Sequence, residues 1–165
     1  MPAVKNNYSN VISWCAEEVD RQKDGPRYVA YMFDAWERAS NESPDVVLSP
    51  NRLEVFIQML NAKVLGGSGL AYYRSTEVYF ADLSLAIPPR HVPMAMSNLC
   101  SIGAQNLEPG DFVFEFLKIH PFPDGNGRTA ALLLNWLSRS LDNPIVLHDF
   151  FHTELTEEPR KKDDD

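Results

Sequence analysis

Apolar side chains recur at three- and four-residue intervals along most of this chain, and that spacing is the period of an amphipathic helix. Val11, Cys15 and Val19, with Ile12 alongside, fall on one helical face before Gly25-Pro26 ends the segment. Tyr28, Tyr31, Met32, Ala35, Trp36 and Ala39 repeat in the same way and predict a second helix. Ser49 suits an N-cap and Pro50 a first turn, after which Leu53, Phe56, Ile57 and Leu60 form a third stripe that stops before Gly66-Gly67. Between Gly69 and Ile87 the helical period disappears. Tyr72, Tyr73, Thr76, Val78, Tyr79 and Phe80 are strand formers and predict a β-hairpin or extended flap. Pro88-Pro89 closes it, Pro93 opens a helix with Met96 and Leu99, and Pro109 precedes another with Phe112, Phe116 and Ile119. Beyond a polar, glycine-rich loop, Ala130, Leu133, Leu134, Leu137 and Leu141 share one face and predict a long central helix ended by Asn143-Pro144.

The expectation is a mainly α domain over residues 1–152, followed by a charged, frayed tail at 153–165. Neither an internal repeat nor an interdomain linker interrupts it. A chain of 165 residues with 44% hydrophobic and 11% aromatic content fits one domain with a real core. Charge narrows the partners: 15 Lys and Arg against 23 Asp and Glu leave a net −8, which argues against nonspecific nucleic-acid binding. Cys15 and Cys100 form no C-x-x-C pair and are expected as buried free thiols. The first ten residues lack an apolar h-region. The most apolar stretch, Ala130 to Leu137, is interrupted by Asn135 and too short to cross a bilayer. No membrane role and a cytoplasmic location are therefore expected, with delivery into another cell left open. His91, His148 and His152 have no cysteine or acidic partners at zinc-ligand spacing. The three tryptophans are expected in the core.

The chemistry concentrates in His120-Pro-Phe-Pro-Asp-Gly-Asn-Gly-Arg128, between two helical runs. Gly125, Asn126 and Gly127 at a helix start can bring backbone N–H groups and the positive end of the helix dipole to an anion. Arg128 adds a permanent cation with bidentate geometry for phosphate, and Asp124 is a hard oxygen ligand suited to Mg²⁺ carried by a nucleotide. His120 alone in the segment can take a proton near neutral pH, which makes it the candidate general base. The same residues also suit a solvated turn, with Asp and Asn capping and Gly allowing positive φ. The string is neither a Walker A loop nor a G-x-G-x-x-G fingerprint. The residues alone leave both readings open.

The segment closely resembles the signature of the Fic family, H-x-F-x-[D/E]-G-N-G-R-x-x-R, and every position from His120 through Arg128 agrees. Ala71 to Tyr79, Ile87-Pro-Pro89 and the stretch from Val92 to Leu99 resemble that family's flap and following helix, so the likeness covers roughly residues 48–141. The resemblance implies a Fic-type helical bundle with a β-hairpin flap over the active-site loop. It implies transfer of AMP from ATP, with Mg²⁺, to a hydroxyl side chain of a target protein. By position, His120 would deprotonate the target hydroxyl, Asp124 would hold Mg²⁺, and Gly125, Asn126 and Gly127 would hold the α-phosphate. Arg128 would contact the β-phosphate, and Phe122 would anchor the loop in the core. The backbone of the flap, with Tyr72, Tyr73, Arg74, Val78 and Tyr79, would dock the target by β-augmentation, Arg74 serving as a phosphate or structural contact.

One position departs from the pattern: the second arginine is Ala131. In the family that arginine holds terminal phosphates and pairs with an inhibitory glutamate. Its loss is expected to weaken donor binding by about 1.5 to 3 kcal/mol. No stretch completes the family's inhibitory pattern [S/T]-x-x-x-E-[G/N]. Ser13-x-x-x-Glu17 and Thr153-x-x-x-Glu157 come nearest and are read as solvated charges, so inhibition by a separate chain, of antitoxin type, stays open. Two rival readings remain. One is a degenerate Fic domain that binds without turnover, favoured by Ala131. The other is a Doc-like phosphotransferase, disfavoured because Doc motifs carry Asn-Lys-Arg where this chain has Asn126-Gly-Arg128.

Overall fold

The computed structural model describes residues 8–148, except for the side chains of 104 and 105. The stretches expected to be a charged tail and holding Thr153 to Glu157 and His152 lie outside the described residues. Among the described residues seven α-helices follow in order: α1 (Ser9–Arg21), α2 (Arg27–Ser40), the single turn α3 (Pro44–Val47), α4 (Pro50–Val64), α5 (Val92–Asn106), α6 (Pro109–Ile119) and α7 (Asn126–Leu137). A 3₁₀ turn, Pro89–His91, leads into α5. Proline stands in the first turn of α3, α4, α5 and α6, where its missing N–H costs nothing and its fixed φ suits the helix. The pattern of the sequence did not disclose α3, which Ser43 caps by accepting a hydrogen bond from the Asp45 N–H at 3.3 Å.

The axis of the bundle is α7. Every residue from Asn126 to Trp136 is buried, and the helix touches α1, α2, α4 and α6. A helix apolar all round belongs in an interior, and only surrounding helices can shield it. Phe112, Phe116, Phe122, Met32, Leu53, Ile57 and Leu60 fill the space around it with almost no exposure. The helix stops at Leu137, short of the expected Leu141. Arg139 takes φ 58°, and the Ser140 N–H and hydroxyl turn back to the Asn135 carbonyl and side chain, which ends the α-helical ladder. Asn135, which looked like an interruption in the sequence, clasps the segment beyond. Its Nδ2 donates to the carbonyls of Ala131 and Ile145, and its Oδ1 accepts from the Ile145 N–H at 2.6 Å.

Each tryptophan is buried, and each indole N–H donates to a loop carbonyl: Trp14 to Ile145, Trp36 to Leu141 and Trp136 to Glu42. Cys15 and Cys100 are free and buried, and burial pushes both thiols up to about 12. Among the described residues no helix is long and apolar enough to cross a membrane.

The flap corrects one expectation. Residues 69–87 contain no strand; the segment is irregular and carries a single antiparallel bridge, Tyr79 to Leu85. The Phe80 N–H donates to the Ser84 carbonyl and the Ala86 N–H to the Val78 carbonyl, closing a turn in which Leu83 takes φ 66°. A sheet needs pairing along both arms, and here the arms meet only at the tip.

Candidate functional site

His120 ends α6 and is forced into the left-handed region, φ 50° and ψ 61°, where its N–H still donates to the Phe116 carbonyl at 3.0 Å. A non-glycine residue there is strained by roughly 1 to 2 kcal/mol and stays only because its surroundings hold it. The surroundings are specific. Arg74 Nε donates to the His120 carbonyl at 2.6 Å. Phe80 presents an edge-to-face ring at 6.0 Å. His120 is only 9% exposed. Burial first, and then the charge of Arg74, push its pKa down to about 4, against smaller upward pulls from the Leu117 hydrogen bond and Asp124. The imidazole is therefore neutral at pH 7.

From His120 the chain turns through Phe122, whose buried ring meets those of Tyr73 and Phe116 at 5.6 and 6.3 Å. Asn126 then closes the loop on itself. Its Nδ2 donates to the Phe122 carbonyl at 2.8 Å and its Oδ1 accepts from the Phe122 N–H at 3.0 Å. The side chain of Asn126 thus shapes the loop, and only its backbone faces the helix start. Asp124 Oδ1 accepts from the Gly125 N–H at 2.8 Å, and about a third of the Asp124 side chain is accessible. Gly125 sits at φ 76°, and a Cβ there would lie 3.0 Å from Asn61 Nδ2 and 3.1 Å from a Val64 methyl. Only glycine satisfies both the backbone and the space. With Asn126 and Gly127 it forms the first turn of α7, where the helix dipole favours an anion.

Arg128, expected to contact a phosphate, is enclosed by its neighbours. It is 0% exposed, lies 5.0 Å above the Tyr28 ring, and its NH2 stands 2.8 Å from Asp24 Oδ2 and 3.6 Å from Asp124 Oδ1. Neither its Nε nor its NH2 is aligned with an acceptor, so the Asp24 contact is an ion pair by proximity and not a directed hydrogen bond. The turn between α1 and α2 therefore covers this arginine. Ala131 is fully buried as well. An arginine at that position would have to be taken out of water, which the sequence pattern could not show.

The flap residues divide between two faces. Tyr72 is 89% exposed and Tyr79 is exposed, while Val78 is half-buried. The Tyr73 hydroxyl turns inward and donates to Glu54 Oε1 at 2.6 Å. Arg74, expected in the docking surface, is only 3% exposed and bonds to backbone carbonyls, so of its two anticipated roles it fills the structural one. Glu17, the acid of the Ser13 near-match, forms an ion pair with Arg21 at 3.2 Å on the surface of α1.

Two contributors escaped the sequence. Asn61 of α4 is buried and donates to the Asp124 carbonyl at 2.9 Å and to Thr129 Oγ1 at 3.2 Å, buttressing the loop from behind. An amide on the apolar face of Ile57, Leu60 and Val64 was the available signal. Asp24 read only as part of a turn with Gly25-Pro26, and nothing in its local sequence points to an arginine about a hundred residues away. Among the described residues no group of three or more His, Cys, Asp or Glu gathers to hold a metal unaided.

A family model described as Fic/DOC family matches residues 48–138. The chain is 34% identical to a protein adenylyltransferase Fic from Nematostella vectensis, across 48% of this chain and 22% of that protein's length. A Fic family protein from Desulfovibrio desulfuricans G20 shares the fold, with TM-score 0.63 and 20% identity over 87% of this chain and 52% of its own. A Fic domain containing signaling protein from Bacteroides thetaiotaomicron VPI-5482 superposes with TM-score 0.53 and 26% identity over 67% and 46%. This chain thus spans about a fifth of the curated relative and about half of each solved neighbour.

Proposed function

Because the chain belongs to the Fic/DOC family, we propose that it is a protein AMP transferase acting on a Ser, Thr or Tyr hydroxyl of a target protein, with Mg-ATP as donor. The observation that carries this reading is the buried His120 at the end of α6, joined to the first turn of α7, whose dipole favours an anion, by a loop that holds the partly accessible Asp124. In this reading the target hydroxyl oxygen attacks the α-phosphorus, the bond to pyrophosphate breaks, and His120 takes the hydroxyl proton. The first turn of α7, at Gly125, Asn126 and Gly127, holds the α-phosphate. Positioning and charge neutralisation supply most of the rate in such an in-line displacement. A pKa near 4 makes His120 a weak base in the absence of nucleotide. Polyphosphate charge arriving beside the ring favours the protonated form and so strengthens it as a base.

Asp124 fits a metal brought by the nucleotide: one oxygen is fixed by the Gly125 N–H, and the accessible side chain supplies a hard ligand. Mg²⁺ there would neutralise phosphate charge. A β-phosphate at Arg128 would compete with Asp24 and Asp124 for its guanidinium. That pairing, together with the buried Ala131, favours a second reading, a domain that binds without turnover.

The deciding experiment incubates the protein and His120→Ala with a target-rich lysate, Mg²⁺ and ATP labelled on either the α- or the γ-phosphate. Protein-bound α-label that disappears in His120→Ala is the expected result. Bound γ-label alone would replace this reading by phosphate transfer of Doc type. Absence of both labels, with Mg-ATP bound in calorimetry, would favour the binding domain.

A further inference from the structure

Arg74 lies outside the motif, yet its hydrogen bonds reach three places at once. Nε donates to the His120 carbonyl at 2.6 Å and NH2 to the Ile119 carbonyl at 3.2 Å, which are the last carbonyls of α6. NH1 donates to the Thr76 carbonyl at 2.9 Å on the first arm of the flap, and NH2 also to Ile87 at 2.6 Å on the returning arm. Its own N–H donates to the Pro121 carbonyl at 2.8 Å. The carbonyls that end a helix have no partners inside the helix, and a cation is the favoured partner there. No Asp or Glu appears as an ion-pair partner of this guanidinium among the described residues.

We propose that Arg74 is the positioning residue that couples the flap to His120, holding the left-handed backbone of His120 and both flap arms with one planar guanidinium. The inference rests on the assignment of His120 as general base. Three features give it its form. The strained φ of His120 needs an external restraint, and the shortest bond to its carbonyl is from Arg74. Near the tip the flap arms are paired by one bridge and two backbone hydrogen bonds, and at their base Arg74 joins Thr76 on one arm to Ile87 on the other. Phe80, between those arms, meets the imidazole edge to face, so a shift of the flap reaches the ring directly. A protein docking on the flap thereby adjusts the base. Lysine cannot replace this group, because an ammonium lacks the rigid fork that serves several carbonyls simultaneously.

The test uses the full chain with Arg74→Lys and Arg74→Met. His120 is followed by NMR through its ring titration and its contact with Phe80, its signal identified by absence in His120→Ala. The charged groups acting on the ring are Arg74 and Asp124. In Arg74→Lys the titration midpoint stays low, near 4, but the Phe80 contact weakens. In Arg74→Met the midpoint moves upward. In the transfer assay kcat at pH 7 falls between about ten- and a hundredfold in both, with the KM for Mg-ATP unchanged, since misplacing a base acts on the chemical step. Lysine variants that keep the wild-type Phe80 contact and kcat would overturn the proposal. That criterion stands even where Arg74→Met fails to fold. Absence of transfer in the wild-type chain would remove the assignment of His120, while the NMR comparison still judges Arg74: unchanged His120 signals overturn it, and altered ones sustain it.

Discussion

The motif loop at 120–128 and the flap at 69–87 meet where Phe80 packs on His120, and they are built in opposite ways. The loop is closed by its own side chains, Asn126 upon Phe122 and Asp124 upon Gly125, and is braced from α4 by Asn61. Most of it is buried. The flap carries exposed Tyr72, Tyr79 and Leu83, has one bridge, and is tied to the body by Arg74 and by Tyr73 on Glu54. Under the proposed function the contrast has a reason: phosphorus chemistry held in register would gain from redundant internal bonds, and a surface that accepts another chain would gain from sparse pairing of its own.

If the loop is the chemical half, the largest effect follows from His120→Ala. Transfer should fall by about 10²- to 10⁴-fold, measured as bound α-label, while far-UV dichroism stays the same. Acid should be the next most damaging condition. The folded pKa of His120, about 4, lies below the ordinary 6.5, so between those values the unfolded chain binds more protons. The contribution of the neutral buried imidazole is complete above 6.5 and is lost as pH falls towards 4, on the order of 3 kcal/mol in all. Urea unfolding at pH 7 and at pH 4.5 should show the decline, and His120→Gln should show less of it. A smaller loss, about 2 kcal/mol, is expected for Gly125→Ala, from the positive φ and the contacts with Asn61 and Val64. Thermal unfolding measures it. Tyr72→Ser stands at the other extreme, because a side chain 89% exposed changes stability by no more than about 0.5 kcal/mol. A weaker yield of modified target with unchanged stability would place docking on the flap. A large fall in melting temperature would mean that the flap is no freer than the loop.

How legible each half was follows from what fixes it. Helices were readable because the stripes of α2, α4 and α6 are local and every turn repeats the signal. The motif loop was readable because its residues are consecutive. The flap misled in degree, since Tyr72, Tyr73, Val78 and Tyr79 favour extended backbone, while pairing depends on a second arm that single-residue preference does not describe. The seal over Arg128 was invisible. Asp24 and Tyr28 meet it only because α2 packs on α7, and no local pattern encodes a contact across so much chain. Ala131 was visible as a departure from the family pattern, but its burial was not, and burial is what makes Ala131→Arg a poor restoration of a phosphate contact.

The three indole hydrogen bonds make the molecule its own optical reporter. Trp14 and Trp36 hold the carbonyls of Ile145 and Leu141, and Trp136 holds that of Glu42. Intrinsic fluorescence therefore reads the connections at 42 and 141–145, well apart in sequence from the motif loop. Emission should shift to the red when those connections detach during unfolding. A titration with Mg-ATP that binds in calorimetry and leaves the spectrum still would mean that nucleotide enters without loosening those connections.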